Sequence, residues 1–163
     1  MTTGTPRLPA ERIPIGETFE LGSHAVTEEE IIRFASEWDS QYFHVDRASA
    51  REGPFGGLIA SGIHTLAIYQ RLSVTGLFDG YDVIAGKELR QVRFLRPVRP
   101  GDVLSGSVII DSVAPDGSGR ATVMTSGSLR NQDDVVVLDV QVEALVSSSY
   151  SPGPDTAPTR SGS

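Results

Sequence analysis

The sequence predicts an α+β fold in which an antiparallel β-sheet packs on one buried central helix. Three observations lead to this prediction. Helical periodicity is confined to the first half of the chain, one predicted helix is apolar on most of its sides, and four strand-like runs follow residue 82. A helix without a polar face is usually surrounded by protein. Helices followed by strands therefore predict a layered domain, with that helix lying on a curved sheet.

The chain of 163 residues fits a single domain. Its first ten residues are rich in Thr, Pro and Gly, and the stretch SPGPDTAPTRSGS at its end is polar and of low complexity. Such segments have little apolar surface to bury. We therefore predict a flexible N-terminus at 1–10, one domain at 11–150 and a disordered tail at 151–163.

The composition argues against several classes of function. There is no cysteine, hence no disulfide and no thiolate site, and three scattered histidines supply a zinc site poorly. No metal and no cofactor are predicted. The net charge of −7, without a basic block, argues against nucleic acid or an anionic membrane as a partner. Because the N-terminus lacks the apolar core of a signal peptide, and no apolar run approaches ~18 residues, a cytoplasmic protein is the default expectation.

The segment TEEEIIRFASEWD predicts the first helix. Thr27 and Glu30 have the spacing of a capping box, and three successive glutamates favour the positive end of the helix dipole. Apolar residues then recur with helical spacing, at Ile31, Phe34, Ala35 and Trp38. Asp39 comes where this stripe ends, and a short second helix is predicted to start at Asp46.

The segment SGIHTLAIYQRLSVTG predicts the central helix, over residues 62–75. Ser61 is the candidate N-cap, and Gly76 is expected just past the C-terminus. The preceding segment GPFGGLIA contains three glycines, which permit tight backbone close to another group.

The second half of the chain predicts an antiparallel meander. The strand-like runs are IAGKELRQVRFLRPV, DVLSGSVIIDSV, RATVMTSGSLR and VVVLDVQVEALV, all rich in Val, Ile, Leu and Thr. The segments APDGSG and NQDD have the composition of hairpin turns between them.

The stretch WDSQYFHVD carries the most specific candidate chemistry. Asp39 and His44 are five residues apart, which places them on different sides of a helix and on opposite faces of a strand. They could meet only on a curved loop, where Tyr42 and Phe43 would supply an apolar wall. A histidine of near-neutral pKa suits proton transfer, and a carboxylate beside it can help to activate a water molecule. The alternative is an ordinary polar turn, in which Asp39 ends the first helix.

Two further motifs each allow two interpretations. In ASGIHT, Ser61 and Gly62 either simply open the helix or direct the Gly62 N–H at a developing oxyanion. The second motif is a run of arginines spaced by three, which either covers a solvated strand or supplies one or two contacts to an anionic ligand. These arginines are Arg90, Arg93, Arg96 and Arg99.

The segment DSQYFHVDRASAREGPFGGLIASGIHT resembles the signature of the MaoC-like dehydratases, relatives of the (R)-specific enoyl-CoA hydratases. Asp39, His44 and Asp46 match the first part of that signature, and Gly62, 18 residues after His44, matches its helix-start glycine. The segment RFLRPVRPGDVLSG also resembles the family, although it is common to many hot-dog proteins. The resemblance covers roughly residues 27–146.

The resemblance implies a hot-dog fold, a homodimer and an acyl-thioester tunnel near the subunit interface. It implies that Asp39 and His44 form the catalytic dyad and that the Gly62 N–H binds the thioester oxygen. The substrate would be a 2-enoyl thioester of CoA or of an acyl carrier protein, or the matching (R)-3-hydroxyacyl thioester. The residues expected to line the substrate site are Gln41, Tyr42, Phe43, Ser61, Ile63 and Gln70.

The sequence departs from the family pattern at three of these positions. Gln41 and Tyr42 stand where the archetypal hydratases have Asn and Pro, and Gln70 stands where they have a serine on the central helix. The acyl chain that is bound therefore stays open. Two alternatives to a hydratase also stay open: a non-catalytic subunit that binds an acyl thioester or a partner, and a thioesterase.

Overall fold

The computed structural model describes residues 5–150, which form one five-stranded antiparallel sheet and four α-helices. The strands are β1 (Thr18–Ala25), β2 (Val83–Phe94), β3 (Val103–Pro115), β4 (Arg120–Arg130) and β5 (Val136–Ser147). The helices are α1 (Glu28–Trp38), α2 (Tyr42–Val45), α3 (Arg47–Glu52) and α4 (Gly62–Gly76). Two single turns of 3₁₀ helix lie at Ala10–Arg12 and Phe78–Gly80.

The predicted helix starts are confirmed by their caps. The Thr27 side chain accepts a hydrogen bond from the Glu30 N–H at 3.2 Å. Asp46 accepts from the N–H groups of Ala48 and Ser49, both at 3.0 Å, and so begins α3. Ser61 accepts from the Ile63 N–H at 3.2 Å and begins α4. Each side chain satisfies a donor that has no partner inside its helix.

The sheet order is β1-β3-β4-β5-β2, and every pairing is antiparallel. The predicted meander therefore holds only for β3, β4 and β5. The prediction was wrong for β2, which crosses to the far edge and pairs with β5 instead of β3. Strand β1 was not predicted at all, because Gly22 interrupts its alternation with a positive φ of 86° and a shift of register.

Helix α4 lies across the inner face of the sheet, as expected for a central helix. Glycines allow this close approach: a Cβ on Gly127 of β4 would come within 1.9 Å of the Tyr69 hydroxyl oxygen. At the end of the helix, a Cβ on Gly76 would come within 2.8 Å of the Cα of Leu21 in β1. Strands β1 and β4 thus both contact the helix, and its first residue, Gly62, lies beside Phe94 at the end of β2.

The packed region begins earlier than the predicted boundary at residue 11. Leu8 exchanges backbone hydrogen bonds with Gly80 and Asp82, both at 2.9 Å, and Ala10 is fully buried. At the other end, the Tyr150 N–H donates to the Glu11 carboxylate at 3.0 Å. The predicted tail at 151–163 lies outside the described residues. No helix within residues 5–150 has the length and apolar character needed to cross a membrane.

Candidate active site

Asp39 and His44 converge on one cavity, although the chain between them is not simply a curved loop. Helix α1 ends at Trp38, and the backbone bends at Asp39, whose φ and ψ are −159° and 70°. The following residues form the single helical turn α2, which carries His44. The bend followed by this turn brings the His44 Nε2 to 3.4 Å from the Asp39 Oδ2. Asp39 and His44 therefore contact each other although they are five residues apart in the sequence.

The His44 ring is buried, with 3% of its surface exposed, and one hydrogen bond sets its tautomer. Its Nδ1 lies 2.7 Å from the carbonyl oxygen of Ile59. A carbonyl oxygen only accepts hydrogen bonds, so the Nδ1 must carry the proton. In the neutral ring, the Nε2 is then an acceptor that faces Asp39.

The Asp39 carboxylate is held at both of its oxygens. Its Oδ2 accepts a hydrogen bond from the Ser61 Oγ at 2.7 Å, and its Oδ1 accepts from the Gln41 Nε2 at 3.1 Å. The bond from Ser61 is the largest cause of a lowered pKa at Asp39, with smaller contributions from Gln41 and, when the His44 ring is protonated, from its positive charge. Partial burial opposes these effects. Asp39 is thus an ionised, oriented acceptor at neutral pH.

The cavity around this pair has a volume of about 440 Å³ and reaches the N-terminus of α4. We call it the dyad cavity. The Gly62 N–H is the first donor of α4 and has no hydrogen-bond partner within residues 5–150. The ring of Phe94 covers Gly62 so closely that a Cβ there would lie 2.9 Å from it. Only glycine therefore fits at this helix start without displacing the ring.

Seven of the nine predicted site residues line the dyad cavity. The three predicted catalytic residues are among them, together with Gln41, Phe43, Ser61 and Ile63. The other two predicted residues lie elsewhere. Tyr42 packs on the outside against Gly53, and Gln70 lines a separate cavity of about 260 Å³ between α4 and the sheet. The catalytic and binding roles of all nine residues stay predictions.

The structure adds cavity residues that the sequence pattern did not indicate. Phe55 packs edge-on against Phe43, with ring centroids 5.6 Å apart, and extends the apolar wall. Phe94, the last residue of β2, and Arg96, just after that strand, also line the cavity. No local signal marks Phe55 or Phe94 as a site residue, whereas Arg96 belongs to the spaced arginines for which contact with an anionic ligand was one interpretation.

The four spaced arginines separate into two groups. Arg90 pairs with Glu143, and Arg93 pairs with Asp139. Arg96 instead donates to the carbonyl oxygen of its neighbour Leu95 at 2.7 Å, and no carboxylate of the described residues pairs with it. Arg99 donates to the Phe55 carbonyl oxygen at 2.8 Å. Arg96 is therefore the arginine of this group that brings positive charge to the dyad cavity.

The other two histidines lie outside the dyad cavity. His64 stacks on Phe34 with a centroid distance of 4.7 Å, and its Nε2 lies 3.3 Å from a Glu30 carboxylate oxygen. The same oxygen lies 2.7 Å from the Nε2 of His24, whose side chain is half-buried. Burial lowers the pKa of His64, and the Glu30 charge opposes this shift. Within the described part of the chain, no group of three or more His, Asp or Glu side chains has an arrangement that could hold a metal ion.

Comparison with known proteins relates this site to a family. The model of the MaoC like domain matches residues 11–129. A Bacillus subtilis (strain 168) protein, Uncharacterized protein YdeM, is 38% identical over 136 residues, which cover 83% of this chain and 96% of that protein. The 3-hydroxyacyl-thioester dehydratase Z of Mycobacterium tuberculosis (strain ATCC 25618 / H37Rv) is 36% identical over 105 residues, which cover 62% of this chain and 70% of the relative.

Solved structures show the same architecture. The MaoC-like dehydratase from Rhodospirillum rubrum superposes with a TM-score of 0.76 at 34% identity, covering 88% of this chain and 99% of that chain. The R-hydratase PhaJ1 from Pseudomonas aeruginosa superposes with a TM-score of 0.67 at 22% identity, covering 93% and 96%, and supports the fold alone. The predicted α+β hot-dog fold is confirmed.

Proposed function

Because the chain belongs to the MaoC-like domain family, we propose that it is a hydro-lyase acting on acyl thioesters. Its family and relatives support hydratase or dehydratase chemistry in general. Our specific proposal is that the protein adds water to a 2-enoyl thioester, or removes it from an (R)-3-hydroxyacyl thioester. Asp39 and His44 would be the acid–base pair, and Gly62 the oxyanion donor.

One observation carries this proposal. The Asp39 Oδ2 and the His44 Nε2 are 3.4 Å apart, and each is an acceptor when Asp39 is ionised and His44 is neutral. Two facing acceptors repel each other unless a donor satisfies both. A water molecule supplies two O–H donors, one for each of these acceptors. This arrangement supports the proposal that the pair binds a water molecule and removes its proton.

In the hydration direction, the water oxygen attacks Cβ of the enoyl group while the dyad takes one of its protons. The electrons of the C=C bond move to the thioester, and the developing enolate oxygen accepts a hydrogen bond from the Gly62 N–H at the positive end of α4. A proton from the dyad then reaches Cα, so that the elements of one water molecule are added across the double bond. Dehydration reverses these steps.

The surroundings of the dyad support a thioester substrate. Phe43 and Phe55 give the cavity an apolar wall for the acyl group. Arg96 supplies positive charge, which suits the phosphate group that both CoA and a carrier-protein arm possess. Either carrier is compatible with these features.

Two other functions remain alternatives on the same fold. A non-catalytic subunit would bind acyl thioesters without turnover, and it would not need the tautomer-fixing bond of His44. A thioesterase would release free thiol. Many hot-dog thioesterases use a carboxylate on the central helix, and α4, with the sequence GIHTLAIYQRLSVTG, contains neither Asp nor Glu. The fixed tautomer of His44 and the lack of a carboxylate on α4 therefore favour the hydratase.

The proposal is tested with a panel of short, medium and branched 2-enoyl-CoA thioesters. We expect the absorbance of the conjugated thioester to fall when at least one of them is hydrated, without release of free CoA. Detection of free thiol at the same rate would assign a thioesterase instead. Saturable binding of the panel without any turnover would assign the non-catalytic alternative.

We further propose a homodimer formed at β2. This edge strand is 12 residues long and exposes large apolar side chains, among them Ile84, Leu89 and Phe94. Ile63 and Val74 of α4 are also exposed. A long, apolar, unpaired edge is a template for pairing with another strand. A second copy of the chain can pair its own β2 with this strand about a two-fold axis, so that each β2 covers the other.

Replacing Leu89 by lysine is expected to weaken this dimer, because the new charge would have to be buried without a partner. Sedimentation should give about twice the chain mass of 17.4 kDa for the parent protein, and a larger monomer fraction for the variant. Ile109→Lys is the control, since Ile109 is exposed to 41% on β3, away from the β2 edge. Equal monomer fractions in the two variants would contradict the proposed interface.

A further inference from the structure

Ser61 makes two hydrogen bonds that connect the proposed dyad with the helix that carries the oxyanion donor. Its side chain is fully buried. The Oγ accepts the Ile63 N–H at 3.2 Å, which is the capping bond of α4. The same Oγ donates its only proton to the Asp39 Oδ2 at 2.7 Å, across 22 positions of the sequence.

Capping explains only the first of these bonds. An N-cap side chain needs an oxygen that accepts from the second or third N–H of the helix. It places no requirement on where the hydroxyl proton points. In this protein the proton is committed to Asp39, so that it is not available to a substrate.

The location of Asp39 gives the second bond its importance. Asp39 is the C-cap of α1, the last turn of which contains no basic residue. The C-terminal end of a helix carries partial negative charge, which disfavours a carboxylate there. Ser61 lies at the opposite, positive end of α4 and directs an O–H at the same carboxylate. The hydrogen bond from Ser61, at the positive end of α4, thus offsets the unfavourable interaction of the Asp39 carboxylate with the negative end of α1.

We propose that Ser61 is a positioning residue, which fixes the direction of the Asp39 carboxylate toward His44 and couples it to the oxyanion end of α4. This inference rests on the proposed hydratase function. With Gln41 holding the Oδ1 and Ser61 holding the Oδ2, the carboxylate cannot rotate without losing a hydrogen bond. The lone pair that faces His44 is therefore presented in one orientation.

The variant Ser61→Ala removes the donor. We expect kcat to fall about 10- to 100-fold, the size of effect given by a lost hydrogen bond to a charged group. KM should stay within about threefold, because the Ser61 hydroxyl is fully buried and its only proton is donated to Asp39. The bond from Ser61 is the main cause of the lowered pKa of Asp39, so its loss raises that pKa. The acid limb of the kcat/KM profile should therefore move to higher pH, since Asp39 must be ionised to act as a base.

Two controls separate positioning from capping. Ser61→Thr retains the hydroxyl and should restore kcat and the acid limb. Thr27→Ala removes the corresponding cap of α1, which has no bond to Asp39, and should lower stability without moving the pH profile. A Ser61→Ala enzyme with the parent kcat and the parent pH profile would overturn the inference while leaving the hydratase proposal intact.

A measurement without turnover keeps the two proposals distinguishable. The Asp39 carboxyl carbon can be titrated by ¹³C NMR, with Asp39→Asn used for its assignment. We expect a higher midpoint in Ser61→Ala than in the parent protein, and a parent-like midpoint in Ser61→Thr. This result in a protein that hydrates no enoyl thioester would refute the proposed function but support the contact. Identical midpoints in the parent and in Ser61→Ala would overturn the inference in either case.

Discussion

Removing either member of the proposed dyad is expected to lower kcat for hydration by about 10²- to 10⁴-fold, the usual contribution of a general acid or base. The variants Asp39→Asn and His44→Asn are chosen to spare the fold. Asn at position 39 keeps the size of the side chain but removes its negative charge. At position 44, the amide nitrogen can replace the Nδ1 donor to the Ile59 carbonyl, while the Nε2 that faces Asp39 is lost.

The control for Asp39→Asn is Asp111→Asn. Asp111 also accepts a serine hydroxyl at 2.7 Å, from Ser126, but it is exposed on the sheet and does not line the dyad cavity. This variant should keep kcat within about twofold. Steady-state hydration rates and thermal unfolding would be measured on all three variants. Parent-like rates in either dyad variant, on a substrate that the parent turns over well, would refute the assigned mechanism.

The largest expected loss of stability comes from Gly127→Ala. The added Cβ would lie 1.9 Å from the Tyr69 Oη, 2.3 Å from its Cζ and 2.5 Å from its Cε2. Tyr69 is 2% exposed, so its ring has little room to move aside. The same burial raises the pKa of its hydroxyl to about 12. Overpacking of this kind costs about 1–3 kcal/mol, and more where nothing can yield. We expect a lower urea midpoint with an unchanged slope.

Two further variants test the cause of this loss. Gly86→Ala adds the same methyl group to β2, where no atom lies within 4 Å of the new Cβ, and should change stability little. Tyr69→Leu removes the clashing atoms, so Gly127→Ala should cost less in that background, which appears as a coupling energy in a double-mutant cycle. Additive effects of the two substitutions would show that the contact between Tyr69 and Gly127 does not determine the stability at this position.

The secondary structure could be predicted where its signals are local. Thr27, Asp46 and Ser61 each cap a helix through a bond to an N–H two or three positions ahead, so the chain immediately around them suffices. The hairpins of β3, β4 and β5 follow from alternation and from short polar turns. Strand β1 was missed for the converse reason, because Gly22 breaks its alternation and only pairing with β3 makes it a strand.

The candidate site was partly predictable for a different reason. Asp39, His44 and Gly62 followed from a resemblance to a family pattern, whereas the residues around Asp39 and His44 by themselves favoured an ordinary polar turn. Tyr42 and Gln70 were expected in the same site, but a side chain's direction depends on how its helix packs. Their helices turn both of them away from the dyad cavity.

The sequence by itself determined the helix starts, most of the strands and the presence of an acidic residue five positions before a histidine. Each of these depends on neighbours within one turn or one hairpin. Only the tertiary structure decided that β2 joins β5, that Phe94 covers Gly62 and that Ser61 donates to Asp39. These contacts join segments tens of residues apart. They form only when burial of the core compensates the entropy of closing such loops, and that balance is a property of the whole fold.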